Sequence, residues 1–173
     1  MPASYQAPNA KDMSRETTVS QSVQTNVATE NSTVQQVIDH KGSGVFTISP
    51  DDTIAAAVVI LRDKRIGALV VADGEGKMHG ILSERDIVRK LAETPGQTLP
   101  QTVAENMTRD VVTCGLGDPL ILVLRRMTEG RFRHMPVLED GKLRGMLTIG
   151  DVIDYRLKEL EYEALQLKQM IVG

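Results

Sequence analysis

The sequence predicts an α+β fold: two β-α-β-β-α repeats packed sheet to sheet with pseudo-two-fold symmetry. Three observations carry this. One unusual phrase occurs twice, as Gly80-Ile81-Leu82-Ser83-Glu84-Arg85-Asp86 and Gly145-Met146-Leu147-Thr148-Ile149-Gly150-Asp151. Around it, Thr47 to Gly74 matches Thr113 to Asp140 at an offset of about 66 residues, and Lys77 to Leu91 matches Lys142 to Arg156 at about 65. A unit of this length buries too small a fraction of its surface to be stable alone, so two copies sharing a sheet-to-sheet contact are the economical solution.

The elements follow in chain order. Residues 1–31 are rich in Ser, Thr, Gln, Asn and Ala without apolar period, and are predicted to be a disordered tail. Repeat 1 is expected over 32–94. Its first helix carries Ile54, Ala57, Val58 and Leu61 on one face; Leu120, Val123, Leu124 and Met127 are the matching face in repeat 2, expected over 103–157. Asp52 and Asp118 are placed as N-caps, with Pro119 suited to the first turn. An apolar strand follows each helix, Ile66 to Val71 and Phe132 to Leu138. After a Gly/Asp turn comes a second strand, Met78 to Leu82 and Leu143 to Leu147. The Ser/Thr-x-x-Asp phrase then opens the last helix of each repeat. Pro95, Gly96 and Pro100 mark a linker at 95–102, and 158–173 reads as an amphipathic helix.

Composition excludes several function classes. Aromatic residues are 3% with no Trp, which argues against an aromatic platform for sugars or nucleic acid. A net charge of −3 supplies no basic field to draw the chain to nucleic acid or anionic membrane. No apolar run spans a bilayer and no secretory leader is evident. The single cysteine, Cys114, forms no intrachain disulfide and sits in an apolar context, so a cytoplasmic location is expected. Lys11 and Arg15 would suit an organelle presequence; Asp12 and Glu16 would not.

The duplicated unit, with its Gly-h-h-Ser/Thr-x-x-Asp after the third strand, resembles the CBS domain, and a tandem pair resembles a Bateman module. Val103 to Thr113 is similar to that family's leading strand, and Arg131-Phe132-Arg133-His134-Met135-Pro136-Val137 to its central strand. The resemblance covers about residues 33 to 157.

The phrase has a plain structural reading and a functional one. Ser83 with Asp86, and Thr148 with Asp151, make reciprocal helix caps. An ionised carboxylate also offers two acceptor oxygens that can hold both hydroxyls of a ribose, the logic by which an acid selects ribose in dinucleotide folds. Ser83 and Thr148, beside helix-start amides, would face phosphate. The resemblance implies that Asp is the ribose contact. It also implies that each cleft draws its base pocket from the partner repeat. The Asp151 cleft, with Met146 and Gly150, would then use Lys41, Val45, Phe46, Ile66, Gly67 and Ala68. The Asp86 cleft, with Ile81, would use Thr108, Val111, Val112, Phe132, Arg133 and His134.

Repeat 2 has Arg133-His134 where repeat 1 has Gly67-Ala68. This makes the Asp151 cleft the expected phosphate site, with Arg133, aided by Arg131, as its clamp and Arg85 compensating in the other. Loss of binding in Asp151→Ala is the corresponding expectation. His40, His79 and His134 are scattered and form no metal set, and His40 and His79 are expected to be exposed. No catalytic constellation stands out, so the chain is read as a non-enzyme. The resemblance implies a regulatory module that binds AMP, ADP or ATP, with NAD(H) a further candidate. A separate target protein is expected, since no effector domain is attached. The contrasting reading is an interaction scaffold with vestigial clefts. Leu157, Leu160, Ala164, Leu167 and Ile171 form an a/d stripe, and with the family's habit of pairing this suggests a homodimer.

Overall fold

The computed structural model describes residues 32–172; the expected tail at 1–31 and Gly173 lie outside the described residues. The elements are α1 (Val34–Lys41), β1 (Thr47–Ile48), α2 (Ile54–Lys64), β2 (Ala68–Ala72), β3 (Met78–Ser83) and α3 (Glu84–Glu93). The second half contributes α4 (Val103–Asn106), α5 (Leu120–Gly130), β4 (His134–Glu139), β5 (Lys142–Thr148) and α6 (Ile149–Val172).

In the first repeat β1 pairs in parallel with β2, which pairs antiparallel with β3. The second repeat has the antiparallel β4–β5 pair. Its leading strand is reduced to one parallel bridge between Cys114 and Val137, matching Ile48 against Val71 in repeat 1. Pro136 and Cys114 supply the carbonyls, accepting from Cys114 N at 3.1 Å and Leu138 N at 2.8 Å. The β4–β5 hairpin closes through Asp140 and Gly141, both at positive φ (51° and 74°), a two-residue turn whose twist matches the strands it joins.

Four sequence expectations are corrected. Val103 to Thr113 is not a strand: Val103–Asn106 is a helical turn, held at its start by Glu105, which accepts from Thr102 N at 2.7 Å. The caps of α2 and α5 are Thr53 and Pro119, one residue beyond the acids proposed. Thr53 Oγ1 accepts from Ala56 N, whereas Asp52 accepts from Ser49 N and Asp118 pairs with Arg126. An additional helix, α1, precedes β1. The helix expected from 158 is the continuation of repeat 2's last helix, a single run of 24 residues.

The two cores are completed by exchange. Val34, Val37 and Ile38 of α1 are buried with Leu120, Val123, Met127, Met135 and Leu147 of the second repeat. Val103 of α4 is buried with Ile54, Leu61, Leu69 and Leu82 of the first. The backbone contacts are symmetric: Val34 N donates to Asp118 O and Gln35 N to Leu116 O, while Val103 N donates to Asp52 O and Ala104 N to Pro50 O. Each leading helix therefore docks on the other repeat, and the pseudo-two-fold axis relates the two dockings.

Candidate functional site

Both duplicated phrases end a strand and open a helix, which presents the hydroxyl, the carboxylate and the first helical amides at the repeat boundary. At the first, Asp86 Oδ2 accepts from Ser83 N at 3.0 Å and Ser83 Oγ at 2.6 Å, and Ser83 Oγ accepts from Asp86 N at 3.3 Å. At the second, Asp151 Oδ2 accepts from Thr148 N at 2.8 Å and Thr148 Oγ1 accepts from Asp151 N at 3.1 Å. The capping half of the sequence reading is thus met in both copies.

The surroundings of the two carboxylates differ. Beside Asp86 lies a cavity of about 530 Å³, within the range of small-ligand sites. It is lined by Ile81, Ser83, Arg85 and Asp86 from one repeat and by Thr108, Val111, Val112, Phe132, Arg133 and His134 from the other. Every residue assigned to the Asp86 cleft from the sequence is brought together here. Gly67, assigned to the other cleft, lines this cavity as well. A Cβ at Gly67 would stand 3.0 Å from the His134 ring, so glycine permits the two repeats to approach at this point.

Glu84, Arg89, Asp110, Gly130 and Arg131 also line the cavity. Arg89 was legible as the residue one helical turn beyond Asp86, on the same face of α3. Arg131 takes the left-handed conformation that ends α5 (φ 55°), and its carbonyl accepts from Arg85 Nη1 at 2.7 Å. Four arginines thus stand around one carboxylate that is already oriented by its cap. Among the described residues Asp86 Oδ1 accepts no protein hydrogen bond.

Asp151 is engaged from within the protein. Lys41, at the end of α1, forms an ion pair with its Oδ2 and donates to Met146 O at 2.8 Å. Burial pushes the Asp151 pKa up, but the hydrogen bonds from Lys41 and Thr148 outweigh this and hold it below the ordinary carboxylate range. The expectation that Arg133 and Arg131 clamp phosphate in the Asp151 cleft is corrected by their position: both lie in the segment between α5 and β4, which lines the cavity beside Asp86. Of the other residues assigned to Asp151, Phe46 is partly exposed beneath Lys64, whose Nζ lies 5.3 Å from the ring centre. Ile66 packs on the first core, and Ala68 is buried in β2. Val45 is half-buried in the segment before β1, and Gly150 stands in the first turn of α6.

Burial first, and Lys41 and Arg133 after it, lower the His134 pKa below 6.5 against the opposing pull of Glu84 and Asp151, leaving a neutral ring at the cavity wall. His79, expected to be exposed, is partly covered and bonded to Asp73 at 2.8 Å. Cys114 is buried, and desolvation, then Asp118, push its thiol up to about 12, which makes it inert at neutral pH. Among the described residues no group of three His, Cys, Asp or Glu is placed to hold a metal, and no helix is long and apolar enough to cross a membrane.

Comparison with known proteins places this geometry in a family. The model of the CBS domain matches residues 34–93 and 102–158. The chain is 31% identical over 152 residues to a mitochondrial CBS domain-containing protein of Arabidopsis thaliana, covering 83% of this chain and 74% of that one. It spans 44% or less of the length of some other curated relatives. Its fold matches the crystal structure of a CBS-domain containing protein from Agrobacterium tumefaciens with a TM-score of 0.71 at 41% identity, covering 72% of this chain and 99% of that one. It also matches the CBS domain pair of protein MJ0100, solved in complex with 5′-methylthioadenosine and S-adenosyl-L-methionine. There the TM-score is 0.65 at 26% identity, covering 74% of this chain and 98% of that one. The chain belongs to the CBS domain family, as a tandem pair of these domains.

Proposed function

We propose that this pair is a regulatory module that binds an adenine nucleotide in the cavity beside Asp86. One observation carries the reading. An oriented carboxylate with an open acceptor oxygen shares a cavity of about 530 Å³ with Arg85, Arg89, Arg131 and Arg133. A ribose diol suits the first, and phosphates suit the second, since guanidinium groups bind phosphate oxygens in bidentate fashion. Phe132, Val111 and Val112 offer apolar surface for a base. The adenosyl ligands of protein MJ0100 support the choice of adenine.

AMP, ADP and ATP are the leading ligands; NAD(H) offers the same adenosine ribose. The module binds without turnover and acts as a homodimer on a separate target protein. A ligand that prefers one arrangement of repeats shifts the population toward it. We place the protein in the cytoplasm; a fluorescent fusion of the full chain checks this against the mitochondrial location of the Arabidopsis relative.

Calorimetry with AMP, ATP, NADH and a 2′-phosphorylated adenosine nucleotide tests the reading. Binding of the first set, rejection of the 2′-phosphate and loss on Asp86→Ala are the expected results. Indifference to all four nucleotides would leave a scaffold as the better description.

A further inference from the structure

His134, the first residue of β4, stands where the two repeats meet. Its imidazole edge faces the start of α3. A Cβ at Gly67 would lie 3.1 Å from His134 Nε2, and the Gly67 carbonyl accepts from Glu84 N at 3.0 Å. Only a glycine thus separates the ring from the helix-start amides beside Ser83, where an anion is best received. Arg131 and Arg133 line the same cavity. Among the described residues neither ring nitrogen has a hydrogen-bond partner, yet neither is sealed from solvent. The neutral imidazole therefore offers one donor and one acceptor to whatever fills the cavity.

We infer that His134 takes up a proton when a phosphorylated ligand enters this cavity, so that acid tightens nucleotide binding. The inference rests on the reading of the Asp86 cavity as a nucleotide site and adds pH to what that site senses. In the protein alone, burial favours the neutral ring most. Lys41 of α1 and the neighbouring Arg133 act in the same direction, against Glu84 of α3 and Asp151 of α6. Lys41 and Asp151 are paired with each other, so their pulls largely cancel. Beyond Arg131, the other charges lining the cavity are Arg85, Arg89, Asp86 and Asp110, two of each sign. A bound phosphate changes this balance twice: it brings negative charge to the ring, and it neutralises the arginines that discourage a further cation. Both changes favour the imidazolium, which then donates a charge-assisted hydrogen bond to a phosphate oxygen.

The direction of the pH dependence follows from linkage. The ring's pKa lies below 6.5 in the protein alone, and the ligand raises it. Protons are therefore taken up between the two values. Binding tightens as pH falls through the raised value and levels off below the lower one. Adenosine, which carries no phosphate, should bind without moving a proton at His134.

Calorimetry of the full chain with AMP, in two buffers of unlike ionisation enthalpy, counts the protons. A phosphate monoester itself titrates at about pH 6, and arginines that bind it release its proton. The difference between wild type and His134→Gln therefore isolates the ring. At about pH 6.5 the wild type should take up more protons per AMP than His134→Gln, and the two should match with adenosine. Lowering the pH from about 8 to about 6 should tighten AMP binding to the wild type, relative to the variant, by about three- to tenfold. The ring resonances of the three histidines give a second measurement on the unaltered chain, assigned through His40→Gln and His79→Gln. AMP should raise the titration midpoint of His134 alone. Equal proton counts in wild type and variant, or a His134 midpoint that AMP leaves in place, would overturn the inference while the nucleotide site stands. An absence of AMP binding would overturn the nucleotide reading and this inference together.

Discussion

Lys41 and Asp151 are 110 residues apart in the sequence, yet the lysine is ion-paired with the carboxylate that opens the last helix. The pair makes the two clefts unequal. Asp86 keeps an acceptor oxygen for a ligand, whereas Asp151 is engaged by a cation of the protein itself. Calorimetry should therefore count one nucleotide per chain. Lys41→Ala should raise the count to two, and Asp151→Ala, expected from sequence to abolish binding, should leave the Asp86 affinity unchanged. Two equivalent sites in the wild type would sink this account.

Within the cavity the two chemistries are separable. Asp86→Asn removes the negative charge from the ribose contact while keeping an oxygen for the cap. Hydrogen bonds to charged groups contribute about 1.5–3 kcal/mol, so AMP affinity should fall by about 10- to 100-fold. Arg133→Ala should weaken ATP but leave adenosine unchanged, as titrations of both ligands against the variant will reveal.

Two glycines of matching strands should respond differently to alanine. A Cβ at Gly80 would stand 2.5 Å from the carbonyl oxygen of Thr108, in the bridge where Ile81 and Thr108 exchange backbone hydrogen bonds at 2.9 and 3.0 Å. At Gly145 the Cβ would stand 2.7 Å from Ile38 Cδ1, the end of a side chain that can rotate. Gly80→Ala should cost about 1–3 kcal/mol, and Gly145→Ala less. Denaturant unfolding of both variants gives the comparison, and an equal loss would contradict it.

Acid should destabilise the fold in two stages. His134 has a folded pKa below its ordinary 6.5, so the unfolded chain binds the proton more readily, and stability falls as pH drops below 6.5. Asp151 also has a lowered folded pKa, so its contribution is present above 3.8 and is lost as pH falls from there through the folded value. Thermal melts of His134→Gln should lose the first stage and keep the second. A first stage that survives the substitution assigns it to another group.

The repeats were legible because Ser83, Asp86, Thr148 and Asp151 are local: hydroxyl, acid and helix start fall within four residues. The six partners of the Asp86 cleft were legible through the family resemblance. The competing expectation that Arg133 serves the Asp151 cleft failed because Arg133 lies just before β4, and which repeat boundary that segment faces is set by how the two repeats meet, which no local pattern encodes. The exchange of α1 and α4 was hidden for a similar reason. Val34, Val37 and Ile38 do form a helical apolar triplet, but the triplet does not say which core it enters. Thr53 prevailed over Asp52 as a cap by a single hydrogen bond, a competition that composition alone does not decide.

The crossed docking of α1 and α4 makes the pair, rather than either repeat, the indivisible unit of folding. A cut at Gly96 would hand each fragment a helix made for the other and leave its own hydrophobic centre short of one wall. Such fragments should remain unfolded apart and regain structure on mixing, as two halves of a clasp close only on each other. The same clasp ties the two repeats that line the cavity to each other by contacts that do not pass through the linker.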